Sequence, residues 1–348
     1  MSFDPTFDPN AASPADSGIF GLSDSPEEAG VVLIPVPWDV TTSYRAGTSD
    51  GPRAILEASR QVDLFDIETG RPYLAKIALL EENVAIRAWN REARADAESV
   101  IAAGGRVAPD SPLAEKLARV NVASQRVNEW VYATAREWLA RKKIVGLVGG
   151  DHSTPFGTIR AHAEAYPGLG ILHVDAHADL RRAYEGFVYS HASIMECVTR
   201  EIPSVSRLVQ VGIRDLCEEE HDRIAASRGK IRTFYDVDIA ASRRRGAFDD
   251  AIARAVAELP DEVYVSFDID GLDPVLCPNT GTPVPGGLSF HEASALLRAV
   301  VEAKKRIVGF DLNEVAPARD GVDEWDGNVG ARVLYKLIGW TLRSQGIG

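Results

Sequence analysis

A chain of 348 residues, 45% hydrophobic and 26% charged, has enough apolar content for a sizeable core. Its formal net charge of −13 argues against a nucleic-acid partner, whose binding depends on phosphate neutralisation, and no apolar run approaches the ~20 residues that a membrane-spanning helix needs. Three cysteines, Cys197, Cys217 and Cys277, are odd in number and form no CxxC, which fits free thiols in a reducing cytoplasm.

Residues 1–29 are rich in Pro, Ser, Asp and Gly. They read as an N-terminal extension, lying over a surface or disordered, with no basic-then-apolar signal pattern. Residues 30–348 read as one catalytic domain. Strands are predicted at Val31–Pro35, Lys76–Leu80, Ile144–Val148, Gly170–Val174, Ser206–Val211, Ile231–Phe234, Glu262–Phe267 and Ile307–Phe310. Helical patterns fall between them, at about 51–60, 91–104, 112–142, 191–200, 216–228, 247–258, 289–304 and 326–344. The one dense basic run, Arg243-Arg244-Arg245, reads as a solvated loop or helix start. No Pro/Gly-rich linker or internal repeat divides the series. Short apolar runs alternating with helices predict an α/β fold, with a mostly parallel sheet covered on both faces.

Polar residues cluster directly after four of these strands. IVGLV runs into Gly149-Gly150-Asp151-His152-Ser153, and GILHV into Asp175-Ala176-His177-Ala178-Asp179. EVYVSF runs into Asp268-Ile269-Asp270-Gly271, and RIVGF into Asp311-Leu312-Asn313-Glu314. In an open parallel sheet the carboxyl ends of the strands share one edge, where ligands bind. Four carboxylates gathered there, Asp175, Asp179, Asp268 and Asp270, would repel one another unless cations neutralised them. Two divalent metals would do so. With His152 and His177 the donors are mixed O and N, which suits Mn²⁺, Ni²⁺, Co²⁺ or Fe²⁺ better than thiolate-seeking metals. Four carboxylates and a shared hydroxide would outweigh two such ions by one negative charge, favouring a cationic substrate such as a guanidinium. A single DxD after a strand is a common turn. Three His/Asp clusters, each closing a buried-type strand, are the specific signal.

At these residues the sequence resembles the ureohydrolase (arginase/agmatinase) family. GGDHS, DAHAD and SFDIDGLDP look like its three signature blocks, in order. Asn279–Pro283 with Gly286-Gly287, GFDLNEVAP (Gly309–Pro317) and Gly47…Gly51-Pro52 extend the likeness over about residues 30 to 345. The resemblance implies a three-layer α/β/α arginase-like fold, trimers or hexamers of this chain, and two divalent ions, Mn²⁺ first with Ni²⁺ the alternative. Carried over by residue, one ion would take His152, Asp175, Asp179 and Asp268, and the other Asp175, His177, Asp268 and Asp270. Glu314 would hold the guanidinium in a pocket lined by Thr282. Asp179 would pass a proton to the leaving nitrogen. His191, in SHASIM, would shuttle protons or shape the pocket, against a packing role at a helix start. His173 reads as a core residue or a support behind the ligands, Asp151 as a residue that orients a ligand, and Asp273 as a turn residue. His162, His221 and His291 read as bystanders.

Substrate choice rests on Leu180–Ser190. The Asn-x-Ser pattern of arginases is absent there. The adjacent Arg181 and Arg182 would repel the free amine of agmatine unless they pair with Glu185 or another acid. Tyr184, Phe187 and Tyr189 could fill the room that a long tail needs. AYEGFVYSHASIM is similar to an agmatinase-like subgroup that includes guanidine hydrolases. Guanidine or a short guanidino acid is therefore expected first, touching Tyr184, with agmatine second. A dimetal phosphoesterase would have its clusters in another order, and a single-zinc deacetylase would not need six ligands. A non-catalytic relative would have lost some of them.

Overall fold

Runs of Val, Ile and Leu too short for helices pair edge to edge, and the intervening amphipathic stretches cover the sheet they make. In the computed structural model, which describes residues 7–319 and 321–347, the elements in chain order are β1 (Val31–Val36), α1 (Gly51–Ser59), β2 (Ile77–Leu79), α2 (Val84–Ala102), α3 (Pro112–Ala140), β3 (Ile144–Gly149), α4 (Phe156–Ala165), β4 (Gly170–Val174), α5 (Ile194–Glu201), β5 (Arg207–Ile213), α6 (Glu218–Ala226), β6 (Ile231–Tyr235), α7 (Asp236–Arg244), α8 (Phe248–Ala257), β7 (Glu262–Asp268), α9 (Phe290–Glu302), β8 (Arg306–Asn313) and α10 (Trp325–Ser344). Expectations for residues 1–6 and Gly348 lie outside the described residues.

The strands form one sheet in the order β2-β1-β3-β8-β7-β4-β5-β6, and every neighbouring pair is parallel. Helices α1, α10, α9 and α8 pack together on one face, and α2, α3, α4 and α5 on the other. The result is the three-layer α/β/α arrangement. The strands carrying the four polar clusters, β3, β8, β7 and β4, are adjacent at the centre of the sheet. Crossovers thus deliver segments 162 residues apart to one edge.

All eight predicted strands are present. Two helices were not foreseen. Helix α4 is buried nearly all round and carries no polar stripe to announce it. Helix α7 is short and polar, with only Asp236, Ile239 and Ser242 buried. The Arg243–Arg245 run is a correction too: it ends α7 rather than starting a helix, and Arg243 Nε donates to Glu292 Oε1 at 2.6 Å. Helix α2 begins earlier than expected because Asn83 caps it, its Oδ1 accepting from Ala85 N–H.

Residues 7–29 lie against the body of the chain. Ile19, Phe20 and Leu22 enter the core, where the Phe20 ring meets Tyr335 at 4.8 Å. Ser17 O accepts from Arg60, and Lys76 pairs with Asp24 at 3.0 Å. No described helix is long and apolar enough to cross a membrane.

One row of the sheet breaks the apolar pattern. Thr233 pairs with Gln210, Gln210 with His173, His173 with Ser266, and Ser266 with Asp311 across β6, β5, β4, β7 and β8. Paired residues of neighbouring strands share a face, so this polar row runs beneath the ends of the central strands.

Candidate active site

The ends of β3, β4 and β7 bring six sequence-predicted residues together. His152 Nδ1 lies 3.0 Å from Asp175 Oδ2, 3.2 Å from Asp179 Oδ2 and 3.3 Å from Asp268 Oδ2. On the other side, His177 Nδ1 lies 3.4 Å from Asp175 Oδ1 and 3.1 Å from Asp270 Oδ2. The two oxygens of Asp175 therefore face the two halves of the cluster. Turn geometry holds the carboxylates: Asp270 N–H donates to Asp268 Oδ1, Ala176 N–H to Asp270 Oδ1 and His177 N–H to Asp175 Oδ1.

The electrostatics ask for cations. Burial and the Asp270 and Asp175 charges push Asp268 well above the usual carboxylate range, and burial with Asp175 raises Asp179 to about 8. Burial opposes a charge on His152, yet the carboxylates of Asp175, Asp179 and Asp268 outweigh it and hold a proton there well above the usual range. His177 is raised likewise, by Asp270 and Asp175 against burial. The crowded charge calls for compensation, and the donors fit divalent ions: subsets of the imidazole and carboxylate atoms lie within 4.8 Å of one another.

Glu314 is buried just past β8. Its Oε1 accepts from His152 N–H at 3.0 Å, while Oε2 has no hydrogen-bond partner. Burial, then the charge of Asp151, raises its pKa well above the carboxylate range. Glu314 shares a narrow recess with Thr282, Gly281 and His191. Both Glu314 and Asp179 hold left-handed backbone, at φ 63° and 54°, a conformation that costs a side-chain-bearing residue free energy and is concentrated at functional sites.

The recess shares Tyr44, Arg45, His191 and Thr282 with a cavity of about 410 Å³ that Asp179, His177 and Tyr184 also line. His191 Nδ1 lies 3.3 Å from Thr41 Oγ1, which donates to Asp151 Oδ2 at 3.0 Å. Burial, followed by the neighbouring His177 and His152, lowers His191 to about 3, so its ring is neutral. The Tyr184 ring stands edge-on to it at 5.7 Å.

With the geometry established, residues 29–339 match the family model described as "Arginase family". The chain belongs to the arginase family. It is 37% identical over 323 residues to an N(1)-aminopropylagmatine ureohydrolase of Thermus thermophilus, covering 92% of this chain and 94% of that one. An agmatinase of Bacillus cereus is 31% identical, over 90% and 93% of the two chains. The solved proclavaminate amidino hydrolase of Streptomyces clavuligerus superposes with a TM-score of 0.71 at 26% identity, over 96% and 100%. An arginase from Medicago truncatula, at 24% identity and a TM-score of 0.67, shares the fold. The chain is accordingly a hydrolase of the ureohydrolase class, and its His/Asp cluster fits the family's pair of divalent metals.

Other residues of this arginase-family site depart from expectation. Asp151 does not touch the His152 ring; it accepts from Thr41 and from Ser153 N–H and Oγ. The His152 support is Ser266, whose Oγ lies 2.9 Å from Nε2 and donates to Asp311 Oδ1 at 3.0 Å. Ser266 and Gln210 went unrecognised, although each is a polar residue inside an apolar strand. Of the three aromatics expected to close the pocket, only Tyr184 lines it. Phe187 is buried in the core against the α2–α3 layer, and Tyr189 packs on Phe156 with its hydroxyl on Glu201. Arg182 faces Glu196 at 3.7 Å, away from the cavity. Arg181 does line the cavity, stacked over Tyr184 and 3.8 Å from Glu220, so each arginine pairs with an acid other than Glu185, the condition under which an amine tail is tolerated. Asp273 is a turn residue, as expected, accepting from Val275 N–H. His162 is fully buried, its Nδ1 on Thr158 O, and Cys277 is buried with its thiol on Ile269 O.

Proposed function

We propose that this chain is a two-metal ureohydrolase that releases urea from a guanidino compound bearing an alkylamine tail, of the agmatine or aminopropylagmatine type. The observation that carries this reading is the unpartnered, buried Glu314 Oε2 in a recess that shares His191 and Thr282 with a cavity of about 410 Å³. Drug-sized ligands occupy roughly 300–1,000 Å³, and guanidine would leave most of this space to water. The expectation of guanidine rested on a likeness in Ala183–Met195 and on a pocket closed by three aromatics, and two of those aromatics point elsewhere. The named relatives support a longer substrate.

In this reading His152, Asp175, Asp179 and Asp268 would hold one ion, and Asp175, His177, Asp268 and Asp270 the other. Two divalent ions there supply positive charge and Lewis acidity, and make a water nucleophilic near neutral pH. Glu314 binds the guanidinium. His152 N–H occupies Oε1, so Oε2 takes the substrate's N–H groups in charge-assisted hydrogen bonds. Thr282 and Gly281 shape the recess; a Cβ on Gly281 would stand 3.3 Å from Glu314 Oε2. Asp179 lies between the cluster and the cavity, placed to receive a proton and deliver it to the leaving nitrogen. His191 presents a neutral ring to the same space, braced by Thr41 and Tyr184. At the mouth, Asp215 is exposed and makes no ion pair among the described residues, which leaves a carboxylate for a cationic tail.

The test is urea release by metal-stripped protein reloaded with Mn²⁺ or Ni²⁺. Agmatine, N1-aminopropylagmatine, arginine, guanidine and ω-guanidino acids would be offered separately. Highest kcat/KM for a compound with an amine tail supports the proposal. Guanidine as the best substrate, or no urea from any compound with both ions bound, overturns it.

A further inference from the structure

We infer that Gln210, on β5 and outside all four polar clusters, is a positioning residue for the metal centre, acting through His173 and the Ala178 carbonyl. The inference rests on the reading above only for the identity of the ligands.

The argument is one of donors and acceptors. Ala178 O, 2.7 Å away, can only accept and so assigns the nitrogen end of the amide, which leaves Gln210 Oε1 to accept from Thr233 Oγ1 at 2.9 Å. The two Nε2 hydrogens go to that carbonyl and to His173 Nδ1 at 3.0 Å. His173 Nδ1 must therefore offer a lone pair. Its proton sits on Nε2 and is donated to Asp175 Oδ2 at 2.8 Å. Gln210 and His173 have no exposed surface, and Asp175 is 1% exposed. In such a setting each of these hydrogen bonds is costly to leave unmade.

Two consequences follow. First, His173 is a donor to a ligand, not a ligand. By distance alone it could join His152, Asp175 and Asp179 around an ion, but its facing nitrogen carries hydrogen. Second, one amide secures the loop that bears three ligands. It sets the plane of Asp175 through His173, with Oδ2 toward His152 and Oδ1 toward His177. It also pins the carbonyl of Ala178, the residue between His177 and Asp179. Gln210 and His173 face each other in register across β5 and β4, so strand pairing itself aims the amide.

The experiment is Mn²⁺ binding by equilibrium dialysis to the stripped full chain, without substrate. Gln210→Met keeps the shape and removes both donors, and should weaken binding about 10–100-fold. Gln210→Glu removes both donors, sets an acceptor against His173 Nδ1 and Ala178 O, and should weaken binding at least as much. Thr233→Val, which removes only the amide's outer partner, should cost less than about tenfold. ¹⁵N NMR of histidine-labelled wild type loaded with diamagnetic Zn²⁺ reads the tautomer directly: hydrogen on His173 Nε2, none on Nδ1. Affinity of Gln210→Met within about twofold of wild type, or a wild-type His173 carrying hydrogen on Nδ1, overturns the inference. The wild-type spectrum decides even where a variant fails to fold. Neither readout uses substrate, so failure of the urea assay leaves this inference standing, and its own failure leaves the reaction untouched.

Discussion

The two ends of the proposed active site, the buried cluster and the cavity in front of it, are built differently. At the inner end, His152, Asp175, Asp179, Asp268, Asp270 and Glu314 follow directly on central strands, are buried, and are fixed by backbone N–H groups and a polar row beneath them. At the mouth, Tyr44, Arg45, Arg181, Tyr184 and Asp215 sit on connecting loops, half-buried or exposed. The inner end is held by strand register and cannot change without disturbing the sheet. The mouth can change loop by loop. On the proposed reading, chemistry belongs to the strands and substrate choice to the loops.

The comparison breaks most visibly at the inner end. Asp268→Asn removes a carboxylate facing His152 and Asp175; kcat/KM is expected to fall about 10³-fold, with less than the full metal content, since metals supply several kcal/mol of transition-state stabilisation. Full activity together with full metal content would remove Asp268 from the site.

A second test lies on the buried side of the sheet. Burial lowers His162 to about 4 from an ordinary 6.5. Above pH 6.5 the ring is neutral in both folded and unfolded chains, and its contribution to stability is complete. As pH falls through the window from 6.5 to 4, the unfolded chain takes up the proton first and stability is lost. The loss is roughly 3 kcal/mol for a shift of this size. Urea denaturation across that window should show a flatter pH dependence for His162→Gln than for wild type. Identical slopes would mean that the ring is already solvated.

Glu314→Gln should lower kcat/KM by about 10–100-fold, the value of one hydrogen bond to a charged group. Metal content should not change, because Glu314 faces the recess. Loss of metal in this variant would make Glu314 a part of the cluster instead.

The smallest effects belong to the mouth. Asp215→Asn should raise KM for an amine-tailed substrate only about two- to fivefold, as for an exposed ion pair, with kcat unchanged. Arg181→Gln should lower that KM by a similar factor, and Arg182→Gln should leave it alone, because Arg182 faces Glu196 outside the cavity. Equal effects of the two arginine variants would end the distinction between them.

The alternation of strands and helices, the parallel sheet and the His/Asp residues gathered at its carboxyl edge were legible from the order of the amino acids. These rest on local patterns: apolar runs of strand length, and His/Asp clusters directly after them. Tertiary structure alone decided what stands behind and in front of that edge. Gln210, Ser266 and Asp311 became one row with His173 through the register of strands distant in sequence, and Thr41 reached His191 across 150 residues. Side-chain direction in the loops, which put Tyr184 into the cavity and Phe187 into the core, was also invisible, since an aromatic three residues away points wherever the turn between Tyr184 and Phe187 sends it. Local sequence carries periodicity. It does not carry the crossovers and turns that choose which polar groups meet.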